Sequence, residues 1–267
     1  MKADLHIHST VSDGSESIET IAEMAREKGL SAIAITDHDT VSHFDRLPEF
    51  PDLRVLPGVE LSAWDYGLDV RVHILAFRLA RPEAVEAFAL PTLLARHANS
   101  LRQIQVLQDH GYEIDLDRVP RADGKYIYKQ HIMQYLMDTG ATEELFGDFY
   151  YRTFKNGGIC HFDIRYPDAC EAVEAVKRAG GLAVLAHPGQ QQNFELIPKL
   201  VSHGLDGLEL HHHSNSELDE QLIRQYAKKY RLFLTGGSDF HGRYEAGSPA
   251  VGEYLAEESG ILAVMGE

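Results

Sequence analysis

Short apolar runs alternate along this chain with longer stretches in which apolar residues recur every three or four positions. The short runs, at residues 4–8, 32–36, 54–61, 70–77, 182–186, 207–210 and 232–235, read as β-strands. The longer stretches, at residues 17–28, 167–178, 193–202 and 216–230, read as helices with one polar face. Ser17 is placed to cap the first helix, and Gly29 and Gly204 to stop helices. Strands alternating with helices predict a mainly parallel sheet, because parallel neighbours need long crossover connections. Seven strands are more than a minimal open sheet uses, and they suit a barrel. From about residue 81 to 156 the alternation stops and the pattern is helical, most clearly around residues 93–107 and 132–136. The expectation is a single α/β barrel domain over residues 1–267, with a helical insertion over one face.

Composition narrows the function. Asp and Glu number 41 against 25 Lys and Arg, a formal charge of −16. Such a surface repels phosphate backbones, so long nucleic acid is not an expected partner, whereas a site that gathers multivalent cations would suit it. No apolar run nears the roughly 18–20 residues of a membrane span, and the first residues lack a signal-peptide core. Cys160 and Cys170 are too few for a disulfide framework. The chain therefore reads as cytoplasmic. The count that stands out is histidine, at 15.

Many of these histidines fall at strand ends. His6 and His8 sit on one strand, where residues two apart face the same side, so their imidazoles can share a divalent ion. A histidine-rich chain also acquires such a pair by chance. Asp13 follows in a Ser-Asp-Gly turn that either folds its carboxylate back to the strand end or is a plain turn. Ile33-Ala34-Ile35-Thr36 opens abruptly into Asp37-His38-Asp39. The same transition recurs at Gly58-Val59-Glu60, Val72-His73, Ala186-His187-Pro188-Gly189 and Ser238-Asp239-Phe240-His241. In β/α barrels the C-terminal strand ends form the active-site rim. A single such ending is a cap or a turn; five or six argue for convergence on one site. Imidazoles mixed with carboxylates suit zinc, manganese or iron better than calcium.

In chain order, His6-x-His8, Asp13, Thr36-Asp37-His38-Asp39-Thr40, Gly58-x-Glu60, His73, Ala186-His187-Pro188-Gly189 and Ser238-Asp239-Phe240-His241 resemble the PHP family, named for polymerase and histidinol phosphatase. The likeness is greatest to its branch of metal-dependent phosphoesterases and runs over nearly the whole chain. It implies a distorted (β/α)7 barrel with two to three divalent ions (Mn, Zn or Fe) at its C-terminal mouth. Carried over by position, it implies a first ion on His6, His8, Glu60 and Asp239. A second would be bridged by Glu60 and add His73 and His131, and a third would use Asp13, His38 and His241. His131 departs from the pattern, since the family usually shows Arg-Pro-His where this chain has Lys129-Gln130-His131. Three divalent ions would outweigh the carboxylates of Asp13, Glu60 and Asp239 and leave a site suited to an anion.

The resemblance also implies a mechanism. A water bridging the first two ions would attack phosphorus in line, with Glu60 holding the bridge and His187 as general acid. A structural His187, bonded across the barrel, is the alternative. Lys129, in the place of the family's Arg, is the first candidate to hold phosphate. Arg165, Arg243 and His212 are further candidates; solvated surface roles stay open for the two arginines, and His211 or His213 could replace His212. The implied activity is hydrolysis of a small phosphate ester: a nucleotide or sugar phosphomonoester, a nucleotide bisphosphate or a cyclic phosphodiester. The expected partner is thus a small phosphorylated metabolite, with neither long nucleic acid nor membrane; oligomeric state stays open. An exonuclease on short RNA or 5′ ends is one alternative, but Lys228, Lys229 and Arg231 are too sparse for its basic groove. A non-catalytic metal-binding PHP module is another, and such a module would be expected to have lost ligands.

Overall fold

A computed structural model describes residues 1–244 and 249–266. Seven strands form one sheet in sequence order: β1 (Ala3–Ile7), β2 (Ala32–Ile35), β3 (Arg54–Asp65), β4 (Val70–Phe77), β5 (Leu182–Leu185), β6 (Gly207–His211) and β7 (Phe233–Gly236). The sheet curls until its last strand returns to its first. There the Asp239 N–H donates to His6 O at 2.8 Å and the His8 N–H to Phe240 O at 2.9 Å, nearly closing a barrel. At Gly237 a Cβ would overlap that of His6, so only glycine lets the two chain segments approach this closely.

Neighbouring strands are parallel, except that β4 runs antiparallel to both β3 and β5. β3 and β4 form a hairpin paired from Gly58↔Phe77 to Asp65↔Val70. Asp65 holds its turn, Oδ1 accepting from the N–H groups of Gly67 at 3.0 Å and Leu68 at 2.8 Å. The reversal corrects one reading of the sequence. His73 does not end a strand; it lies in the first half of β4 and reaches the barrel's C-terminal rim because that strand points the other way.

Alternation divides the two faces of the sheet. Val59, Leu61, Val72, Ile74 and Leu185 pack outward against α5 (Ala169–Arg178), α7 (Ile197–Ser202) and α8 (Glu217–Tyr230). Leu75, Phe77 and Val184 face the other way and join Leu5, Ala34 and Ala186, beneath Ile261 and Val264 of α9 (Glu258–Met265). Glu60 and His73 share the inward face of their strands, one layer above this apolar floor. On the outside, α1 (Ile18–Glu27) buries Ile18, Ile21, Ala22 and Ala25 against Ile7, Ile33 and Ile35. Ser17 caps it by accepting from the Thr20 N–H, and Gly29 ends it at φ +67°. A short α6 (Pro188–Gln191) follows His187.

Between β4 and β5 come α2 (Pro82–Asp109), α3 (Lys129–Asp138) and α4 (Asp148–Phe154). They build an apolar cluster of their own, including Ile104, Leu107, Ile132, Met133, Leu136, Phe149 and Phe154. The first turns of α2 tie this unit to the barrel, with Val85 and Ala89 joining the outer cluster. No described helix is long and apolar enough to cross a membrane.

Candidate metal centre

The rim of the barrel brings His6, His8, His38, His73, His187, His212 and His241 together with Asp13, Glu60, Glu209 and Asp239 in one buried volume. Glu60 is its hub. Its Oε2 lies 3.3 Å from His6 Nε2, 3.1 Å from His8 Nε2 and 3.2 Å from His38 Nδ1. Its Oε1 lies 2.9 Å from His73 Nδ1 and 3.0 Å from His187 Nε2. Each oxygen of one carboxylate thus faces a different set of imidazoles. Asp239 Oδ1 completes the first set, 3.2 Å from His6 Nε2 and 3.1 Å from His8 Nε2. On the far side Asp13 faces His8 and His241 at 3.6 Å and His38 at 3.9 Å.

These groups fit divalent ions. His6 Nε2 and His8 Nε2 lie 3.2 Å apart, close to the edge of about 3.4 Å in a tetrahedron whose metal–ligand bonds are about 2.1 Å. Asp239 Oδ1 is buried among them and still makes no directed hydrogen bond with the described residues, so its lone pairs converge on the same point as the imidazoles. Three such groups of ligand atoms occur among the described residues: His6, His8, Glu60 and Asp239; His38, Glu60 and His73; and His8, Asp13, His38 and His241.

Charge leads to the same conclusion. Burial works against ionising the carboxyls of Asp13, Glu60 and Asp239, yet the surrounding imidazoles hold all three well below the usual carboxylate range. Burial likewise opposes charging His6, but Asp239, Glu209 and Glu60 push its pKa well up. A buried cluster this rich in carboxylate demands positive charge. Its supports are equally specific. Glu209 Oε1 lies 3.0 Å from His6 Nδ1, which places the proton there and leaves the Nε2 lone pair facing the cluster. The other oxygen of Glu209 accepts from the His187 N–H at 2.8 Å. Asp37 accepts from the Ser9 and Ser12 hydroxyls at 2.7 and 2.6 Å and so holds the loop that folds Asp13 back. Asp39, His187 and Asp239 all take positive φ (56°, 27° and 50°), strained turns at the ends of strands.

Most of the residues singled out in the sequence meet here, but four do not. His131 does not reach the cluster, contrary to its expected place on a second ion. It sits in the first turn of α3, buried against Tyr128 and Tyr244, with Nδ1 accepting from the Tyr128 N–H at 3.1 Å. Burial pushes its pKa down to about 4. Arg165 and Arg243 are exposed, stacked on Tyr66 and Tyr244, and do not line the cavity over the cluster. Lys129 faces a smaller cavity beside it. Of the three consecutive histidines, His212 points inward, 3.3 Å from Asp239 Oδ2, while His211 pairs with Glu220 and Glu257. Four residues that the sequence did not single out have clear positions: Glu209, and the cations Arg71, Arg96 and Lys155 on the cavity walls. Arg71 was readable, since it precedes His73 by two on the same face of a strand. Arg96 and Lys155 carry no local signal.

A β/α barrel whose C-terminal mouth gathers imidazoles and carboxylates around a bridging glutamate is the framework of a metal-dependent hydrolase. A sequence model of the PHP domain matches residues 4–244, and the chain belongs to that family. A phosphoribosyl 1,2-cyclic phosphate 1,2-diphosphodiesterase of Eggerthella lenta is 41% identical over 251 residues, covering 91% of this chain and 95% of that one. A 5′-3′ exoribonuclease of Haemophilus influenzae is 27% identical, covering 90% of each. The crystal structure of a candidate metal-dependent phosphoesterase from Bifidobacterium adolescentis superposes with a TM-score of 0.88 at 31% identity, over 98% of this chain and 95% of that one. The chain is accordingly an enzyme of the metal-dependent phosphoesterase class.

Proposed function

We propose that this enzyme hydrolyses a small phosphate ester at a centre of two to three divalent ions, with a cyclic phosphodiester of a sugar phosphate as the first substrate class to test. The observation that carries this reading is Glu60, whose two oxygens face separate imidazole sets. The sets it suggests are His6, His8, Asp239 and Glu60; Glu60, His73 and His187; and Asp13, His38 and His241. His187 thereby takes the place expected for His131. With Nε2 turned to Glu60 and Nδ1 buried, it is positioned as a ligand and not as the proton donor to a leaving oxygen.

Ions bound there would supply Lewis-acid charge and make a water nucleophilic near neutral pH. The chain's own groups do the rest. Glu209 fixes the tautomer of His6, and His212 holds Asp239 in place. Gln130 Nε2 donates to Asp13 Oδ2 at 2.8 Å and so positions the third set. Arg71 and Lys155 on the cavity wall can draw phosphate oxygens toward the cluster. Tyr150, Tyr151 and Phe146 give the same cavity, of about 610 Å³, an apolar side for a sugar or base. Its size and partial cover favour a small molecule over a polymer, and the name of the 41% identical relative supports a cyclic phosphate. Both cysteines are unpaired and buried, which fits a cytoplasmic setting.

The test is phosphate release from a panel of sugar phosphates, cyclic phosphodiesters, nucleotide bisphosphates and short 5′-phosphorylated RNA, with metals counted in the same preparation. Release from a small ester with two or more metals per chain is expected. Preference for RNA would favour the exoribonuclease reading that the Haemophilus relative's name suggests. Metals bound with no release from any member would turn attention to C–N bonds.

A further inference from the structure

Leu5 and Ile7 are two apart on β1, yet they face opposite sides of the sheet. Leu5 joins the inner apolar floor with Leu75 and Phe77, whereas Ile7 packs outward with Ile21 and Ala22 of α1. Regular alternation would keep them on one face. The pairing with β2 accounts for the change. Asp4 lies opposite Ile33 and Ile7 opposite Ile35, so β1 takes three steps where β2 takes two. The extra residue makes a β-bulge. Strict alternation continued from Leu5 would turn His6 and His8 out toward α1. The bulge turns both inward, where their Nε2 atoms lie 3.2 Å apart.

A bulge leaves backbone donors without ladder partners, and here two side chains replace them. The His6 N–H donates to Asp4 Oδ1 at 3.3 Å, and the Ile7 N–H donates to Thr36 Oγ1 at 3.0 Å. Asp4 also reaches beyond its own strand. Its Oδ1 accepts from the Ser238 N–H at 3.0 Å, and its Oδ2 from the Gly252 N–H at 2.8 Å. Ser238 precedes Asp239, whose own N–H donates to His6 O. The Asp4 carboxylate is fully buried and has no cation beside it among the described residues; its partners are these amides and the Ser238 hydroxyl. Losing any of these donors would leave its desolvation uncompensated. One carboxylate therefore fixes the bulge of β1 against the loop that carries Asp239.

We infer that Asp4 and Thr36 are positioning residues for the metal centre: they hold the bulge that aims His6 and His8 at a shared ion, and Asp4 sets Asp239 against the same pair. The inference rests on the ion sites proposed above and adds the groups that shape the first of them. Neither side chain belongs to the ligand groups at the barrel mouth, so both act through the backbone.

Divalent-ion binding to the full chain tests this, with Co²⁺ as the probe because its visible absorption reports ligand geometry. Asp4→Asn keeps the shape but places an amide where a carboxylate accepts from backbone donors. Thr36→Val keeps the shape and deletes the acceptor, while Thr36→Ser retains the acceptor. Asp4→Asn and Thr36→Val should each weaken Co²⁺ binding about ten- to a hundredfold in chelator competition, as loss of a ligand's support does. Both should also shift the absorption band of the loaded protein, and Thr36→Ser should match the wild type. A role in packing alone would lower the melting temperature of the metal-free protein and leave affinity and band unchanged, which overturns the inference. Equal weakening by valine and serine at position 36 overturns it too. If Asp4→Asn does not fold, the Thr36 pair decides by the same criteria. A wild type that binds no Co²⁺ would sink the ion sites and this inference with them; one that binds it no more tightly than Asp4→Asn and Thr36→Val sinks the inference alone.

Discussion

The barrel mouth and the insertion above it are both largely buried, yet they use burial in opposite ways. In the insertion, Ile104, Leu107, Ile132, Met133 and Phe154 pack against one another, and their burial supplies stability. At the mouth, the buried groups are imidazoles and carboxylates whose desolvation opposes folding. Several of their atoms, including His8 Nδ1, His38 Nδ1 and Asp239 Oδ1, find no well-directed hydrogen bond among the described residues. The insertion is complete as a packed unit, whereas the mouth gathers buried imidazole and carboxylate atoms in groups that could hold a metal ion. The two regions should therefore respond differently to substitution, to metal and to pH.

The largest effect belongs to Glu60. Glu60→Ala removes the one carboxylate that faces five imidazoles, so turnover should fall by about a thousandfold or more as metal is lost. Unchanged activity with unchanged metal content would show that the mouth is not the catalytic centre. His187 and His131 give the sharpest contrast between the regions. His187→Asn should lose bound metal and at least about a hundredfold in kcat, while His131→Asn should keep its metal and lose mainly local stability. Elemental analysis of the two proteins decides it, and loss of metal from the His131 variant would restore that residue to the second ion.

Glu209→Gln keeps size but weakens the hold on His6 Nδ1, and metal affinity should drop about ten- to a hundredfold. A competition titration with a chelator measures this; wild-type affinity would reduce Glu209 to a packing residue. Phe154→Ala should remove about 3–5 kcal/mol of stability from the insertion. Hydrogen exchange should then speed up in α2–α4 while β1 and β2 stay protected, and uniform loss of protection would mean that the two regions fold as one unit. The smallest effect is a pH dependence. Burial pushes the Lys129 ammonium down to about 8. A lowered amine is cationic only below that value, so anion binding should weaken as the pH rises through about 8. KM for a phosphate ester should rise there in the wild type and not in Lys129→Met.

How much of this was legible beforehand differs between the regions as well. All seven strands were marked by local apolar runs, and β4 lies at residues 70–77 as read. The helix at 193–202 is shorter than its pattern, a 3-10 turn followed by α7, because Pro198 lacks the amide that would continue an earlier helix. Residue type marked His6, His8, Asp13, His38, Glu60, His73, Asp239 and His241, since each stands where an apolar strand turns polar or in the turn beyond it. In the insertion that signal fails. His131 lies in a helix whose other buried residues are mostly apolar, and one histidine in such a setting looks the same whether it binds a metal or caps a turn.

Sequence by itself determined the order of strands and helices and the chemistry and identity of most residues that gather at the barrel mouth, because faces and turns are encoded over a few neighbouring residues. Only the tertiary structure decided that β4 is reversed and carries His73 to the rim, and that His187 and not His131 faces Glu60. It also brought Arg71 of β4, Arg96 of α2, Lys129 of α3 and Lys155 at the end of α4 around one cavity. Those outcomes depend on chain direction and on contacts between residues tens of positions apart, and no local periodicity records them.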